Sequence, residues 1–196
     1  MKYFDKRLFW FIKTHLLYRW FFNEFHITSY MGTPLFLKRC SNIKIKKKVR
    51  IFVGSRIELI GDQAKLIINE NTSIGHNMHL ICGGEIIIGK NTTISSNVFI
   101  NDIDFDYSKI DISVMNQKQI VKKTSIGDNC FIGFGTSIQA GTILGKNVIV
   151  GANSFVRGSF PDYTIIGGVP AKILKIYDHT TKEWVPYKKQ KNNDKK

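Results

Sequence analysis

Two short stretches of the sequence carry side chains that could accept a proton during a reaction. The first contains Asp102 and Asp104 on either side of one apolar residue, and the second contains His76 and His79. A carboxylate in water has a pKa near ~4 and is a weak base for a hydroxyl group unless burial raises that pKa. Imidazole titrates near neutral pH, but an isolated histidine is more often a surface residue than a base. Both stretches therefore need a scaffold that gives their side chains a defined environment.

A repeat of six residues predicts that scaffold. Within residues 125–156, aliphatic side chains recur at every sixth position, and the residue after most of them is glycine. The aliphatic positions are Ile126, Ile132, Ile138, Leu144, Val150 and Val156. An α-helix repeats every 3.6 residues and a strand every two, so neither alone explains this period. The pattern is typical of a β-solenoid in which each hexad supplies one short strand and one tight turn, and three hexads complete a coil.

The same spacing extends upstream and is interrupted once. Earlier aliphatic residues at intervals of six are Ile68, Ile74 and Leu80, then Ile88, Ile94 and Ile100. Residues 101–125 break the repeat and are acidic at their start; we call this segment the excursion. Loops that leave a regular scaffold often carry function. We predict an N-terminal amphipathic helical segment at 1–37, the solenoid at 38–175, and a C-terminal segment at 176–196 with a short helix and a basic tail.

The composition indicates one folded domain with a strongly basic surface. The 196 residues are 43% hydrophobic, and the net charge is +14 at pH 7. Basic runs at 38–50 and 188–196 would attract phosphate groups, but no nucleic-acid-binding motif accompanies them, so we predict no nucleic acid partner. Cys40, Cys82 and Cys130 lack the spacing of metal ligands. We therefore predict packed thiols, no metal site and a cytoplasmic protein.

The first 25 residues predict a helix with two compatible roles. Their aromatic and aliphatic side chains are interrupted by Lys13, His15 and Arg19, so the stretch is too short and too charged to span a membrane. No cleavage site of a signal peptide follows it. In one interpretation this helix covers the open end of the solenoid. In the other, its aromatic and basic side chains lie in the inner surface of the membrane and make the protein peripheral there.

The hexads at 126–156 and the closing segment GGVPAK at 167–172 resemble those of the hexapeptide-repeat acyltransferases. Within that family the sequence is similar to the maltose, galactoside and polysaccharide O-acetyltransferases, over roughly residues 68–175. The resemblance implies a left-handed parallel β-helix, acetyl-CoA as the donor, and a homotrimer with active sites between subunits. It further implies acetyl transfer to a sugar hydroxyl in the synthesis of bacterial surface polysaccharide or lipid-linked glycan.

The resemblance also implies a cofactor site along the corners of the last coils. Backbone N–H groups at glycine corners would bond the amides of the pantetheine arm, and a lysine would face the phosphates of coenzyme A. The implied residues are Phe131, Gly133, Gly135, Gly151, Ala152, Asn153 and Lys172. Turn geometry alone also accounts for the glycines, so each can serve either purpose or both.

The position of the catalytic base departs from the family. Related enzymes carry a histidine five residues past the last aliphatic residue before the excursion, and this sequence has Phe105 there. Phenylalanine cannot accept a proton, so we name Asp102, Asp104 and His79 as candidate catalytic residues. Three functions stay open: an O-acetyltransferase with a different base, an amino-sugar N-acetyltransferase, whose acceptor needs less help from a base, and a catalytically silent scaffold or binding protein.

Overall fold

The backbone forms a solenoid of short strands. The computed structural model describes residues 6–187, so the predicted basic tail at 188–196 and the first residues of the predicted helix lie outside it. Three sheets of seven, nine and six strands run along the solenoid, and we call them first, second and third in the order in which a coil meets them. The first corner joins the first sheet to the second, the second corner joins the second to the third, and the third corner leads into the next coil.

Each of the first six coils contributes a short strand to each sheet, and the seventh contributes strands to the first and second sheets. The first four coils contain β1 (Glu24–Phe25), β2 (Tyr30–Met31), β3 (Phe36–Lys38), β4 (Ile43–Ile45), β5 (Arg50–Ile51), β6 (Arg56–Leu59), β7 (Lys65–Ile68), β8 (Ser73–Ile74), β9 (His79–Cys82), β10 (Glu85–Ile88), β11 (Thr93–Ile94) and β12 (Phe99–Asn101). The excursion contains β13 (Ile103–Phe105), a 3-10 turn (Val114–Asn116) and β14 (Gln119–Val121). The later coils contain β15 (Thr124–Ile126), β16 (Phe131–Ile132), β17 (Ser137–Ile138), β18 (Ile143–Leu144), β19 (Ile149–Val150), β20 (Phe155–Val156), β21 (Ser159–Phe160) and β22 (Thr164–Gly168).

The aliphatic hexad positions form the core. All twelve of those named from the sequence are at most 2% exposed. Successive coils pair in register, so that Ile74, Ile94 and Ile132 lie above one another in the second sheet. Burying one such side chain stabilises the fold by about 1.5–3 kcal/mol relative to leaving it in water. The parallel pairing already begins at Glu24, upstream of residue 38, where we predict the solenoid to start from the sequence.

The corners require left-handed backbone, which explains their residue types. Asparagines with φ between 54° and 58° occupy this conformation at Asn71, Asn77, Asn91, Asn97, Asn129, Asn147 and Asn153. Asparagine and glycine adopt positive φ more readily than other residues. The side chains also link coils, since Nδ2 of Asn71 donates to Oδ1 of Asn91 over 3.0 Å.

The N-terminal segment is helical and packs on the first coil. It comprises α1 (Arg7–Lys13), a π-helical turn (Thr14–Tyr18) and a 3-10 turn (Arg19–Phe21). The buried Oγ1 of Thr14 accepts a 2.9 Å hydrogen bond from the N–H of Met31 on β2. Within residues 6–187, no helix combines the length and the apolar character needed to cross a membrane.

The excursion is a hairpin that leaves from the third corner. Its strands β13 and β14 are antiparallel, with Ile103 opposite Val121. Both side chains lie on two glycines of the preceding coil. A Cβ atom added to Gly83 would lie 2.8 Å from Cγ1 of Ile103, and one added to Gly84 would lie 2.6 Å from Cγ1 of Val121. The Gly83–Gly84 pair therefore provides the space in which the hairpin packs.

The prediction of a short C-terminal helix from the sequence is wrong. The chain reverses after β22 and continues as β23 (Ala171–Asp178) and β24 (Glu183–Pro186), both antiparallel to their neighbours. Gly168, with φ of 104°, lies at the reversal. The physical reason is that the last strand of the second sheet would otherwise expose unpaired backbone groups at its edge, which a returning strand satisfies.

Candidate active site

The third sheet lies between the two features that the sequence associates with function. The second corner, with the predicted cofactor residues, forms one of its edges, and the third corner, where the excursion leaves, forms the other. Arg157 follows β20 at the third corner and reaches the excursion through Asp104. The corner residues of the predicted cofactor site and the predicted catalytic residues are therefore brought to one side of the solenoid.

Asp102 is fully buried, and both of its carboxylate oxygens are occupied. Oδ1 accepts a 2.6 Å hydrogen bond from the N–H of Gly83, and Oδ2 accepts one of 2.9 Å from the N–H of Gly84. The thiol of Cys82 is 3.6 Å from Oδ2, and burial, together with the Asp102 carboxylate, raises the pKa of that thiol to about 12. These contacts favour a structural role for Asp102, which holds the glycine turn under the hairpin.

Asp104 is ion-paired on the surface of the hairpin. Its Oδ2 accepts hydrogen bonds of 2.7 Å from both Lys122 and Arg157, and its Oδ1 accepts one of 3.0 Å from the N–H of Phe105. The Lys122 ammonium is the main cause that lowers the pKa of the Asp104 carboxyl, with the Phe105 N–H and Arg157 adding to it. A carboxylate with a lowered pKa is a poor proton acceptor near neutral pH.

His79 lies on the outer surface of the third sheet and has a carboxylate partner. Its Nε2 is 3.1 Å from Oε1 of Glu58 on the neighbouring strand β6, and its ring meets that of Phe99 edge-on at 5.3 Å. Glu58 also accepts a 2.6 Å hydrogen bond from Nε of Arg56, and this guanidinium is the main cause that lowers the pKa of the Glu58 carboxyl. The Arg56 side chain in turn lies 5.4 Å from the ring centre of Phe36.

Sequence reasoning missed Glu58, although the repeat contained a signal for it. Arg56 pairs with His79 in register between β6 and β9, so residues one coil apart on one sheet are neighbours. An acidic residue two positions after Arg56 therefore faces the same side as His79. His76, by contrast, lies at the second corner with its ring 5.1 Å from that of Phe52.

The glycine corners do not offer free amides in the way expected from the sequence. Four of the implied cofactor residues at the corner itself donate their backbone N–H to a carbonyl of an adjacent coil: Gly133 to Val150, Gly135 to Ser96, Gly151 to Ile166 and Asn153 to Phe134. Ala152 differs from them. It is exposed at the second corner, and no group of residues 6–187 accepts a hydrogen bond from its N–H. Among the corner residues predicted to bind the cofactor, the backbone donor available to a ligand is thus Ala152.

The packing of the corners explains why two of these glycines are needed. A Cβ atom at Gly133 would lie 2.5 Å from the backbone nitrogen of Ala152, and Gly135 has φ of 69°. Gly151 is different, because the nearest atom to an added Cβ is the carbonyl oxygen of Ile166 at 3.5 Å. Gly133 and Gly135 are therefore required by coil stacking, whereas the space beside Gly151 is open.

The closing segment completes the second corner, and Phe131 lies apart from it. The N–H of Gly168 donates to Oγ of Ser154 over 3.2 Å, which fixes the segment directly beyond Ala152. Lys172 follows on β23 opposite Gly167, with an exposed side chain. Phe131 is half-exposed on the second sheet, between Thr93 and Ile149 of the adjacent coils. An exposed aromatic side chain, Phe134, stands at the corner itself and was not named from the sequence.

Comparison with known sequences identifies relatives along nearly the whole chain. The family described as "Bacterial transferase hexapeptide (six repeats)" matches residues 123–158. WbbJ of Escherichia coli (strain K12), whose name refers to O-acetyl transfer in lipopolysaccharide biosynthesis, is 32% identical in an alignment of 184 residues that covers 88% of this chain and 90% of WbbJ. A serine acetyltransferase of Staphylococcus epidermidis is 29% identical over 151 residues, 76% of this chain and 68% of that protein.

Solved structures share the fold at lower sequence identity. AntD, an N-acyltransferase from Bacillus cereus in complex with dTDP and 3-hydroxybutyryl-CoA, superposes with a TM-score of 0.73 at 22% identity, covering 86% of this chain and 90% of AntD. A galactoside acetyltransferase in complex with coenzyme A gives a TM-score of 0.57 at 23% identity, covering 68% and 64%. The predicted left-handed parallel β-helix is confirmed. The repeat, the fold and the similarity to WbbJ together show that the chain belongs to the hexapeptide-repeat acetyltransferase family.

Proposed function

We propose that this protein is an acetyl-CoA-dependent O-acetyltransferase that modifies a sugar hydroxyl during the synthesis of bacterial surface polysaccharide or lipid-linked glycan. The observation that carries the proposal is the similarity to WbbJ over nine-tenths of its length, because it includes the coils, the excursion and the closing segment together. The name of that relative refers to O-acetyl transfer in lipopolysaccharide biosynthesis.

The second corner is the proposed site of acetyl-CoA. Its free backbone donor at Ala152 suits an amide of the pantetheine arm, and the exposed ring of Phe134 offers apolar surface. The ammonium of Lys172, beyond the closing turn, suits a phosphate. Gly133, Gly135, Gly151 and Asn153 shape the corner rather than donate to the ligand. Phe131 lies on the adjoining sheet.

A homotrimer with active sites between subunits is part of the proposal. Exposed apolar side chains at the second corner and on the two sheets that it joins include Phe131, Phe134, Phe155 and Val169, each at least 37% exposed. An apolar set of this kind on one side of a solenoid is suited to burial against a second copy. Sedimentation equilibrium measures the assembly directly.

The N-terminal surface supports a peripheral position at the inner face of the membrane. Large apolar side chains that are 48–78% exposed are Leu8, Phe9, Ile12, Leu16, Leu17, Trp20 and Phe21. Residues 6–23 contain basic side chains and no acidic one. Aromatic and aliphatic side chains next to positive charge are typical of helices that lie in an anionic lipid surface. A lipid-linked acceptor would be presented at that surface.

N-acetylation of an amino sugar is the second candidate. It is favoured by Phe105 at the usual histidine position and by the fold of AntD, an N-acyltransferase. A catalytically silent scaffold is the third candidate function. The position of Lys172 beside a corner with a free backbone donor at Ala152 argues against it.

The test is acetyl transfer to matched acceptors. The protein is incubated with acetyl-CoA and either p-nitrophenyl β-D-galactoside or its amino-sugar analogue, and the products are analysed by mass spectrometry. Hydroxylamine cleaves an ester and leaves an amide intact, so treatment of the product distinguishes the two reactions. The proposal predicts a hydroxylamine-sensitive product, and an amide alone supports the second candidate.

A further inference from the structure

We propose that the outer surface of the third sheet binds the acceptor sugar and that His79, oriented by Glu58, is the general base in place of the missing histidine. This inference rests on the proposed acetyl transfer and deepens it. The outward side chains Phe36, Arg56, His79, Phe99 and Ser137 follow one another from strand to strand along the third sheet. Glu58 lies on the same face, two residues after Arg56 on β6.

The pairing with Glu58 defines which nitrogen of His79 can take a proton. An ionised carboxylate only accepts hydrogen bonds, so Nε2, at 3.1 Å from Oε1, carries the hydrogen of the neutral ring. Nδ1 then holds the free lone pair, and within the described part of the chain no group donates to it. His79 is about one-third exposed, which leaves this nitrogen open to a ligand on the sheet surface.

The Glu58 carboxylate has a second partner, the Arg56 guanidinium, which favours its ionised form. Arg56 donates to the same oxygen of Glu58 that His79 contacts, at 2.6 Å, and lowers the pKa of the carboxyl. Glu58 therefore stays ionised where histidine titrates, and it stabilises the imidazolium that forms when Nδ1 takes a proton. On the strands beside His79, β12 presents the neutral Phe99 and β6 presents Arg56 and Glu58. One strand further, Lys38 of β3 lies opposite Glu58.

The surroundings of His79 suit a sugar ring. Phe99 lies 5.3 Å from the imidazole, and Phe36 lies beside the Arg56 guanidinium. Aromatic rings offer apolar faces for the C–H groups of a sugar, and the guanidinium and carboxylate offer hydrogen bonds for its hydroxyls. The other candidates lack these conditions. Both oxygens of Asp102 are held by amides inside the fold, and Asp104 is neutralised by two cations.

The location also fits the donor. The second corner borders the third sheet, and the proposed acetyl-CoA site lies on its last coils, with Ala152 three coils beyond His79. Adjacent strands are about 4.8 Å apart, so the elongated coenzyme must extend about 14 Å along this corner to bring its thioester to His79. In the reaction, Nδ1 of His79 takes the proton of the sugar hydroxyl while its oxygen bonds to the thioester carbonyl carbon. The carbon–sulfur bond then breaks, the sulfur leaves with the electron pair, and it receives the proton back from His79. The products are the sugar ester and coenzyme A, and the histidine is again neutral.

Three variants test the assignment: His79→Gln, Glu58→Gln, and the control His26→Gln at the first corner. We expect His79→Gln to lower kcat for p-nitrophenyl β-D-galactoside by about 100-fold or more and to leave the calorimetric affinity for acetyl-CoA within about twofold of the parent. We expect Glu58→Gln to lower kcat about tenfold and to move the acidic limb of the pH–rate profile to lower pH, because the imidazolium loses its counter-charge. His26→Gln should behave as the parent.

The outcomes separate this inference from the proposed function. A parent that binds acetyl-CoA and acetylates the glycoside, together with a His79→Gln variant within threefold of its rate, would overturn the assignment of His79 and leave the proposed function standing. A loss in Glu58→Gln without a change in the pH profile would overturn the orienting role of Glu58. A parent that neither binds acetyl-CoA nor transfers acetyl overturns both proposals.

Discussion

The carboxylate of Asp102 accepts a 2.6 Å hydrogen bond from the backbone N–H of Gly83, one coil earlier in the solenoid. This contact, with its partner from Gly84, ties the base of the excursion to the coil beneath it. Asp102, a candidate catalytic base from the sequence, is thus part of the framework that positions the hairpin.

Replacing Asp102 should destabilise the fold. Asp102→Ala leaves the N–H groups of Gly83 and Gly84 without their acceptor in a buried site, which costs on the order of 1–3 kcal/mol for each group left unsatisfied. Urea unfolding followed by circular dichroism measures the change. The control is Asp106→Ala, whose carboxylate accepts from the N–H of Ser108 in an exposed turn. Equal stability of the two variants would argue against the framework role.

Two glycines of the second corner should respond differently to the same substitution. Gly133→Ala puts a Cβ atom 2.5 Å from the backbone nitrogen of Ala152, so adjacent coils must separate, at a cost of about 1–3 kcal/mol. Gly151→Ala meets its nearest atom at 3.5 Å and should keep the midpoint of thermal unfolding near that of the parent. Comparable losses in both variants would contradict the packing described for this corner.

The ion pairs of Asp104 predict a pH-dependent stability. Because Lys122 and Arg157 lower the pKa of this carboxyl in the folded state, their contribution is present above its ordinary value near 3.8 and is lost as the pH falls through the lowered folded value. Asp104→Asn should therefore cost up to about 1 kcal/mol at pH 7 and progressively less below about pH 4. Urea unfolding across this range, with Asp111→Asn as the control, measures the difference. A cost that stays constant down to pH 2 would contradict it.

The sequence was sufficient for the solenoid because its signal is periodic and local. Every hexad aliphatic residue from Ile68 to Val156 lies in the core. The two ends were predicted less well. The first coil keeps the spacing of six but places Phe25 and Met31 where later coils have isoleucine, leucine or valine, so the aliphatic signal is missing there. The strand β23 gains its partner only from the edge of a completed sheet.

The site was harder to predict because it depends on contacts between coils. The partnership of His79 with Glu58, and that of Asp104 with Arg157, joins residues far apart in the sequence. The sequence also does not show which backbone N–H groups already donate to a carbonyl of an adjacent coil. The sequence marks Gly133 and Ala152 alike as corner residues, and only stacking distinguishes the amide that is used from the one that is free.

The N-terminal surface predicts binding to anionic lipid. The protein should sediment with vesicles containing about a third phosphatidylglycerol and much less with pure phosphatidylcholine. Changing both Trp20 and Phe21 to alanine removes two exposed aromatic side chains and should weaken binding at least about tenfold. Ile110→Ala, which removes a still more exposed apolar side chain from the excursion, is the control. Equal binding of all three proteins would contradict a membrane role for this helix.

The central claim is that the second corner binds acetyl-CoA, and isothermal titration calorimetry tests it most directly. The parent should bind acetyl-CoA, Lys172→Ala should bind it about tenfold more weakly through the loss of a phosphate contact, and Lys90→Ala, which removes the same charge at the first corner, should match the parent. Absence of binding in the folded parent, or an equal loss in both lysine variants, would contradict the account.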